Sequence, residues 1–325
     1  MKKILFIVLI LLVYVASFAA AVKHPGFYTE GKSIYDSCGE KILLRGVNKM
    51  TVWTDKAGAC FPEIAKTGAN SVRIVWTIKD GTMEELDSAI TACVKEKMIP
   101  IIELHDATCK WDMELMDKLT AYWTDKKMIS IIQKHEKYLI INYGNEIGDW
   151  KVSSTDYTET YTAIIKKMRK AGIKVPIMLD MPKCGQDDNT FYSTSEDIVK
   201  ADPEHNVIFS LHMWWPNDGP QRVEDTFMAA EDIKAPLVVA EFAHKGVGCA
   251  GAIPYKAILE FGQKYGIGWL AWEWGPGNQD CGEMDMTKDG KFETLWGWAK
   301  EVAVESEYSI KNTSVRSRAL VEGCK

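Results

Sequence analysis

Base does not exceed acid in this 325-residue chain: 39 Lys and Arg stand against 45 Asp and Glu, a formal net charge of −6. Binding nucleic acid through its phosphates needs clustered cations, so the balance argues against that class. None of the 8 cysteines forms a Cys-x-x-Cys pair, and no His-Glu-x-x-His occurs. Structural zinc and the common zinc-protease arrangement therefore lack their spacing. No Gly-x-Gly-x-x-Gly follows the first apolar run, "LRGVNKM". That disfavours a doubly wound dinucleotide sheet. The nucleophile turn Gly-x-Ser-x-Gly is missing too, which removes the usual serine hydrolase. No low-complexity stretch or linker divides the chain, so a single domain is expected.

What is present is a well-cored composition, 46% hydrophobic and 26% charged, with a surplus of Trp, 12 in all. Flat indoles beyond the needs of a core suggest platforms for sugar rings. The N-terminus reads as a secretion signal. Lys2 and Lys3 precede an apolar run from Ile4 to Val15, and Ala19-Ala20-Ala21 offers a small-residue cleavage site. Residues 1–21 are read as a signal peptide and 22–325 as the mature domain, with an uncleaved anchor as the rival reading. The mature chain holds every cysteine, an even number in a secreted protein, which suggests disulfides.

Short β-branched runs recur: "ILLRGVN" from Ile42, "SVRIVW" from Ser71, "IPIIELH" from Ile99, "LIINYGNE" from Leu139, "PIMLDM" from Pro176, "VIFSLHM" from Val207, "PLVVAEF" from Pro236 and "GIGWLAWEW" from Gly266. Their starts differ by 29, 28, 40, 37, 31, 29 and 30 residues, and helical patterns such as "MEELDSAITACVKEKM" lie between most of them. Strand and helix alternating eight times predict parallel strands joined by right-handed crossovers, an α/β fold of the (β/α)8 TIM-barrel type. "YTEGKSIYDSCGEKI" before the first strand reads as a hairpin capping the barrel bottom.

In such a barrel chemistry stands at the C-terminal strand ends. Read in order, strand 2 is expected to end near Arg73, strand 3 at His105, strand 4 at Asn145-Glu146, strand 6 at His212 with Trp214-Trp215 after it, strand 7 at Glu241, and strand 8 at Trp272-Glu273-Trp274. Two glutamates on nearly opposite strands are what glycoside hydrolysis uses: one protonates the leaving oxygen, the other attacks or activates water. A lone strand-end Glu is more often solvated surface. Two of them, with Arg73, His105 and His212 at other strand ends, favour a site.

The motifs "TGANSVRIVW", "ELHDAT", "IINYGNE", "LDMPKCGQ", "FSLHMW", "VVAEFAH" and "GWLAWEWGPGN", with the tail "MDMTKDGKFETLWGW", resemble glycoside hydrolase family 5. Within it they look most like the bacterial endo-β-1,4-mannanase branch, subfamily 8. The resemblance implies a retaining endo-β-1,4-glycanase, with Glu146 as general acid/base and Glu241 as nucleophile. It implies Asn145 on the 2-hydroxyl, Trp272 as the floor under the central ring, and His105 and His212 orienting hydroxyls and carboxylates. Arg73 is expected near Glu241, where it would keep that carboxylate ionised, and the charge on Glu241 would raise the pKa of Glu146. Trp274, Trp214, Trp215, Trp150 and Trp111 are candidates for outer subsites. One position departs from the family, where a Tyr usually follows the strand-6 His by two residues; here it is Trp214. The expected partner is a β-1,4-linked polysaccharide, with mannan ahead of cellulose. No cofactor, metal, nucleic acid or protein partner is implied, and a monomer is expected. Rival readings are a cellulase of the same fold, a metal-dependent barrel hydrolase using His105, His212 and His244, a non-catalytic sugar-binding barrel, and a phosphate site on the glycines of "HKGVGCAG". Cys249 and Cys281, in neighbouring loops after strands 7 and 8, are expected to be bridged.

Overall fold

The computed structural model describes residues 24–324; the signal peptide assigned to residues 1–21 lies outside them. Eight parallel strands close into a barrel, each hydrogen-bonded to its neighbours in sequence: β1 (Arg45–Lys49), β2 (Ser71–Trp76), β3 (Ile99–Leu104), β4 (Ile140–Asn142), β5 (Ile177–Asp180), β6 (Val207–His212), β7 (Leu237–Glu241) and β8 (Gly268–Ala271), with β8 returning to β1. Helices such as Met83–Lys95, Ser154–Lys170 and Tyr255–Lys264 wrap the outside. Their starts follow local chemistry. Thr82 accepts from the Glu85 amide while Glu85 reaches back to the Thr82 amide, and Ser153 accepts from the Asp156 amide.

The inward faces follow the two-residue period of a strand. Leu44, Ile99, Ile101, Ile140, Met178, Ile208, Val238 and Leu270 form one apolar cluster in the lower barrel, joined by Phe27, Ile34, Ile42 and Leu320 beneath it. One step of two further along the same faces stand Glu103, Asn142, Asp180 and Ser210, all fully buried. The barrel interior therefore changes from hydrocarbon to polar as the strands approach their C-terminal ends. On β7 the pairing with β6 shifts register between Val239 and Glu241. Strict alternation from Val238 and Ala240 would send Glu241 outward; the irregularity turns it into the barrel mouth.

The expected bottom cap is present as strand Tyr28–Glu30 antiparallel to Ser33–Tyr35, extended by Lys41–Ile42. A disulfide joins Cys38 in this cap to Cys324. The strand ends are corrected in two places. Strand β2 runs on to Trp76, so Arg73 sits in the middle of the barrel wall and not at its rim. Strand β4 stops at Asn142, and Asn145-Glu146 stand in the loop beyond it.

Candidate active site

Arg73 organises the polar layer. Its guanidinium is wholly buried. It donates from Nη1 to Glu241 Oε1 at 2.7 Å and to Asn48 Oδ1 at 3.0 Å, from Nε to Asn142 Oδ1 at 2.7 Å, and from Nη2 to Asn145 Oδ1 at 2.8 Å. Glu103 lies 3.8 Å and Asp180 3.4 Å away. Burial alone would lower the Arg73 pKa, but the carboxylates of Glu103, Glu241, Asp180 and Glu146 raise it. The planar fork suits this hub because one cation orients four neighbours at fixed angles.

His212 links the two glutamates expected to act. Its Nδ1 donates to Glu146 Oε1 at 2.8 Å and lies 3.3 Å from Glu241 Oε2, while Nε2 lies 3.3 Å from Asp180 Oδ2. Burial opposes protonation of this ring, yet Glu241 and Asp180 hold its pKa well above the usual range. An imidazolium therefore sits between carboxylates. Glu241 accepts from Trp214 Nε1 at 3.2 Å as well. Burial pushes its pKa up, but His212 and Arg73 overcome that and hold it below the ordinary value. Glu146 is displaced the other way: burial comes first, and the charge on Glu241 adds to it, against the pull of His212. The two carboxyl groups are thus pushed apart, Glu241 below the ordinary carboxyl value and Glu146 above it.

Glu146, His212 and Glu241 each offer an atom within 4.8 Å of the other two, a compactness that also suits a metal. In this structure the set is joined by hydrogen bonds, His212 Nδ1 to Glu146 Oε1 at 2.8 Å and Trp214 Nε1 to Glu241 Oε2 at 3.2 Å. His244, a ligand in the metal reading, faces Glu283 at 3.7 Å and stacks on Trp298.

Above these groups opens a cleft of about 910 Å³ lined by His105, Asn145, Glu146, Trp214, Glu241, Trp272 and, on its rim, Trp53 and Asn278. His105 bonds Glu103 Oε1 at 2.9 Å and lies against both Trp272 and the edge of Trp53. The Trp272 indole donates to Asn278 Oδ1 at 2.8 Å, and Asn278 Nδ2 donates to Asp285 Oδ1 at 2.7 Å. Asn145 is fixed through Arg73 on its oxygen and Thr108 Oγ1 on its nitrogen.

Several expectations are corrected. Trp274 is no subsite residue: it is fully buried, its amide donates to the Asn48 carbonyl of β1 at 2.9 Å, and its indole donates to the Gly290 carbonyl. Arg73 and His212 are also out of reach of a bound molecule and act on Glu241 and Glu146 from below. Trp215 stacks under Arg222, Trp111 packs beside Tyr161, and Trp150 is exposed but stands apart from the cleft wall. Trp214 and Trp272 line the cleft as expected. The reading missed Trp53 and the buried partners Asn48, Glu103, Asn142 and Asp180. A signal for three of them exists in the sequence, since Glu103, Asn142 and Asp180 each follow an inward apolar residue by two.

The bridge expected between Cys249 and Cys281 is present at the rim. A further one, Cys109–Cys184, joins the loops after β3 and β5. Cys60 and Cys93 are free.

The sequence profile of Cellulase (glycosyl hydrolase family 5) matches residues 35–278. A mannan endo-1,4-beta-mannosidase of Salipaludibacillus agaradhaerens is 30% identical over 306 residues, which cover 91% of this chain and 96% of that protein. Among solved structures, the catalytic domain of a mannanase from Streptomyces sp. SirexAA-E superposes with a TM-score of 0.82 at 28% identity, covering 90% of this chain and 94% of that one. A beta-mannanase from Streptomyces thermolilacinus gives 0.83 at 26% identity, covering 91% and 99%.

Proposed function

This chain belongs to glycosyl hydrolase family 5, and from that premise we propose that it is a retaining endo-β-1,4-mannanase acting on mannan and glucomannan. The observation that carries the reading is the pair of glutamates, each of which brings one carboxyl oxygen within 4.8 Å of an oxygen of the other. Retaining pairs stand roughly 5–5.5 Å apart, whereas inverting pairs need room for a water between them.

The roles follow from the charge states. Ionised Glu241 attacks the anomeric carbon and forms the glycosyl-enzyme; Arg73, His212 and Trp214 keep it unprotonated and aimed. Protonated Glu146 gives its proton to the leaving glycosidic oxygen. Once the leaving group has gone, Glu146 takes a proton from the incoming water, which attacks the anomeric carbon and releases Glu241. Asn145, locked by Arg73 and Thr108, is placed to bond the sugar 2-hydroxyl, and Trp272 supplies an apolar face beneath the ring. No cofactor or metal enters this sequence of steps.

The preference for mannan is supported by the relatives named above. The rival, an endo-β-1,4-glucanase, shares the same pair. Product analysis on mannan, glucomannan, cellulose and barley glucan side by side tests it. Mannooligosaccharides released fastest from mannan, with the β-anomer first in proton NMR, are expected. Cello-oligosaccharides as the main product would move the assignment to the glucanase, and an initial α-anomer would overturn the retaining mechanism. Three disulfides fit an oxidising compartment. We therefore infer secretion, with the leader at residues 1–21 as the address.

A further inference from the structure

The loop that carries Glu146 is held from both sides. From the β3 side, the Cys109 amide donates to the Glu146 carbonyl at 2.9 Å, and Thr108 forms an antiparallel bridge with Ile147. From the β5 side, the Asp180 carboxylate accepts from the Glu146 amide at 2.9 Å, and the Cys184 amide donates to the Gly148 carbonyl at 3.0 Å. The two sides are then joined covalently by Cys109–Cys184. Glu146 itself has φ 48°, Cys109 58°, Lys183 56° and Cys184 54°. Four non-glycine residues in the left-handed region persist in one place only where their surroundings over-determine them.

We propose that the Cys109–Cys184 disulfide is a positioning element for the Glu146 carboxyl group; this rests on Glu146 being the acid/base. The bridge closes a covalent ring around the loop, so neither hydrogen-bonding side can withdraw without the other. Cys109 Sγ lies 3.8 Å from Glu146 Oε2, a packing contact, since a disulfide sulfur has no proton to donate. The opposite oxygen, Oε1, faces His212. The same β5 loop holds that histidine: the His212 amide donates to the Gly185 carbonyl at 2.8 Å, and a Cβ on Gly185 would fall 2.7 Å from His212 Cγ. One tether thus fixes the sulfur wall on one side of the carboxyl group and the imidazolium on the other. Loop residues between β3 and β5 that are free to shift by an ångström would spoil proton delivery while leaving the nucleophile, on β7, in place.

The test is Cys109→Ser/Cys184→Ser. Loss of alignment at the acid/base lowers kcat on mannan about 10–100-fold, with KM little changed, and moves the alkaline limb of the kcat/KM profile. The pre-steady-state burst on a dinitrophenyl β-mannobioside, whose leaving group needs little protonation, stays within about twofold of the parent. Unchanged kcat and pH profile on mannan, or equal losses in burst and mannan turnover, would overturn the proposal. If the serine pair does not fold, Cys109→Gly/Cys184→Gly serves instead, because both positions have the positive φ that glycine tolerates. Cys38→Ser/Cys324→Ser, at the far end of the barrel, should leave kcat and the burst unchanged. Glu146→Ala separates the two ideas: if it retains mannan turnover, the acid/base assignment fails, whereas if it loses turnover and the disulfide variant does not, only the positioning role fails.

Discussion

Trp214 Nε1 donates to Glu241 Oε2 at 3.2 Å, so an indole meets the nucleophile at the position where the family resemblance implies a Tyr hydroxyl. Arg73 already holds the other oxygen, Oε1. The indole therefore completes the set of donors that favours the ionised nucleophile. A hydrogen bond to a charged group contributes about 1.5–3 kcal/mol. Trp214→Phe keeps the apolar wall and loses the donor, and kcat/KM on mannan should fall about 10–100-fold. Trp214→Tyr should recover part of it if the shorter ring can reach. A Trp214→Phe enzyme with parent kinetics would show that Glu241 needs no bond from this side.

The two glutamates separate by the anomer of their rescue. In Glu241→Ala the nucleophile is gone, and added azide should attack from the vacated face and give an α-glycosyl azide. In Glu146→Ala the intermediate forms from a dinitrophenyl β-mannoside but lacks a base for its breakdown, so azide should give the β-adduct. Chromatography and NMR of the azide products decide it; one and the same adduct from both variants would contradict the assigned roles.

The acid limb of the kcat/KM profile should report Glu241, whose pKa is held down by His212 and Arg73. His212→Asn removes a cation, so that limb should move to higher pH. The alkaline limb should report Glu146, held up by burial and by Glu241. Limbs that stay in place in His212→Asn would break the link between this imidazolium and the nucleophile.

The same histidine makes stability depend on pH. Its folded pKa is raised above the unfolded one, so its contribution is fully present below about pH 6.5. It declines as pH rises above that and is gone once the folded pKa is passed. Asp180 has the opposite sign. Its pKa is depressed despite burial, by His212 and Arg73, so its contribution is present above about pH 4 and is lost as pH falls toward its folded value. Tm measured from pH 6 to 9 should decline more steeply in the parent than in His212→Asn. Equal slopes would mean that the ring is not charged in the folded protein.

The tryptophans should sort by measurement. Trp272→Ala and Trp53→Ala should raise KM for mannooligosaccharides, as each removes a face of the cleft. Trp274→Ala should cost about 3–5 kcal/mol of stability, the range for deleting a large buried aromatic, with KM kept for whatever fraction folds. Asn278→Ala tests the relay: it frees the Trp272 indole and should raise KM without changing Tm as Trp274→Ala does. A Trp274 variant with weakened binding and parent Tm would reverse the placement.

The alternation of strands and helices made the barrel legible, because each apolar run is bounded and the spacing is nearly constant. That Glu146, Glu241 and Asn145 would stand at the mouth was legible because polar residues gather at the exits of several buried runs, where a single one would more often be solvated surface. What periodicity cannot carry is depth. Arg73 and Trp274 are of the right type, but one lies mid-strand and the other is fully buried beside β1, and only packing separates a platform from a filler. Glu241 reaches the mouth through an irregularity in β7 that no alternation pattern announces. Cys249–Cys281 could be read because it joins successive loops. Cys109–Cys184 skips a strand, and the path of the β3 and β5 loops over β4 had to be seen.

Cys38 and Cys324 are 286 residues apart in sequence and are bonded to one another beneath the barrel. Every barrel strand lies between them, so the folded domain is covalently a circle. A single protease cut in any rim loop opens that circle without releasing a fragment. The pieces remain one molecule with the β-barrel hydrogen bonds intact, and the cost of reassembling them is that of closing a loop, not of bringing two chains together. The same topology makes the rim a natural place to open the chain anew. A permuted gene starting in an exposed loop and joining residues near 38 and 324 by a short linker would encode the circle this bridge already draws.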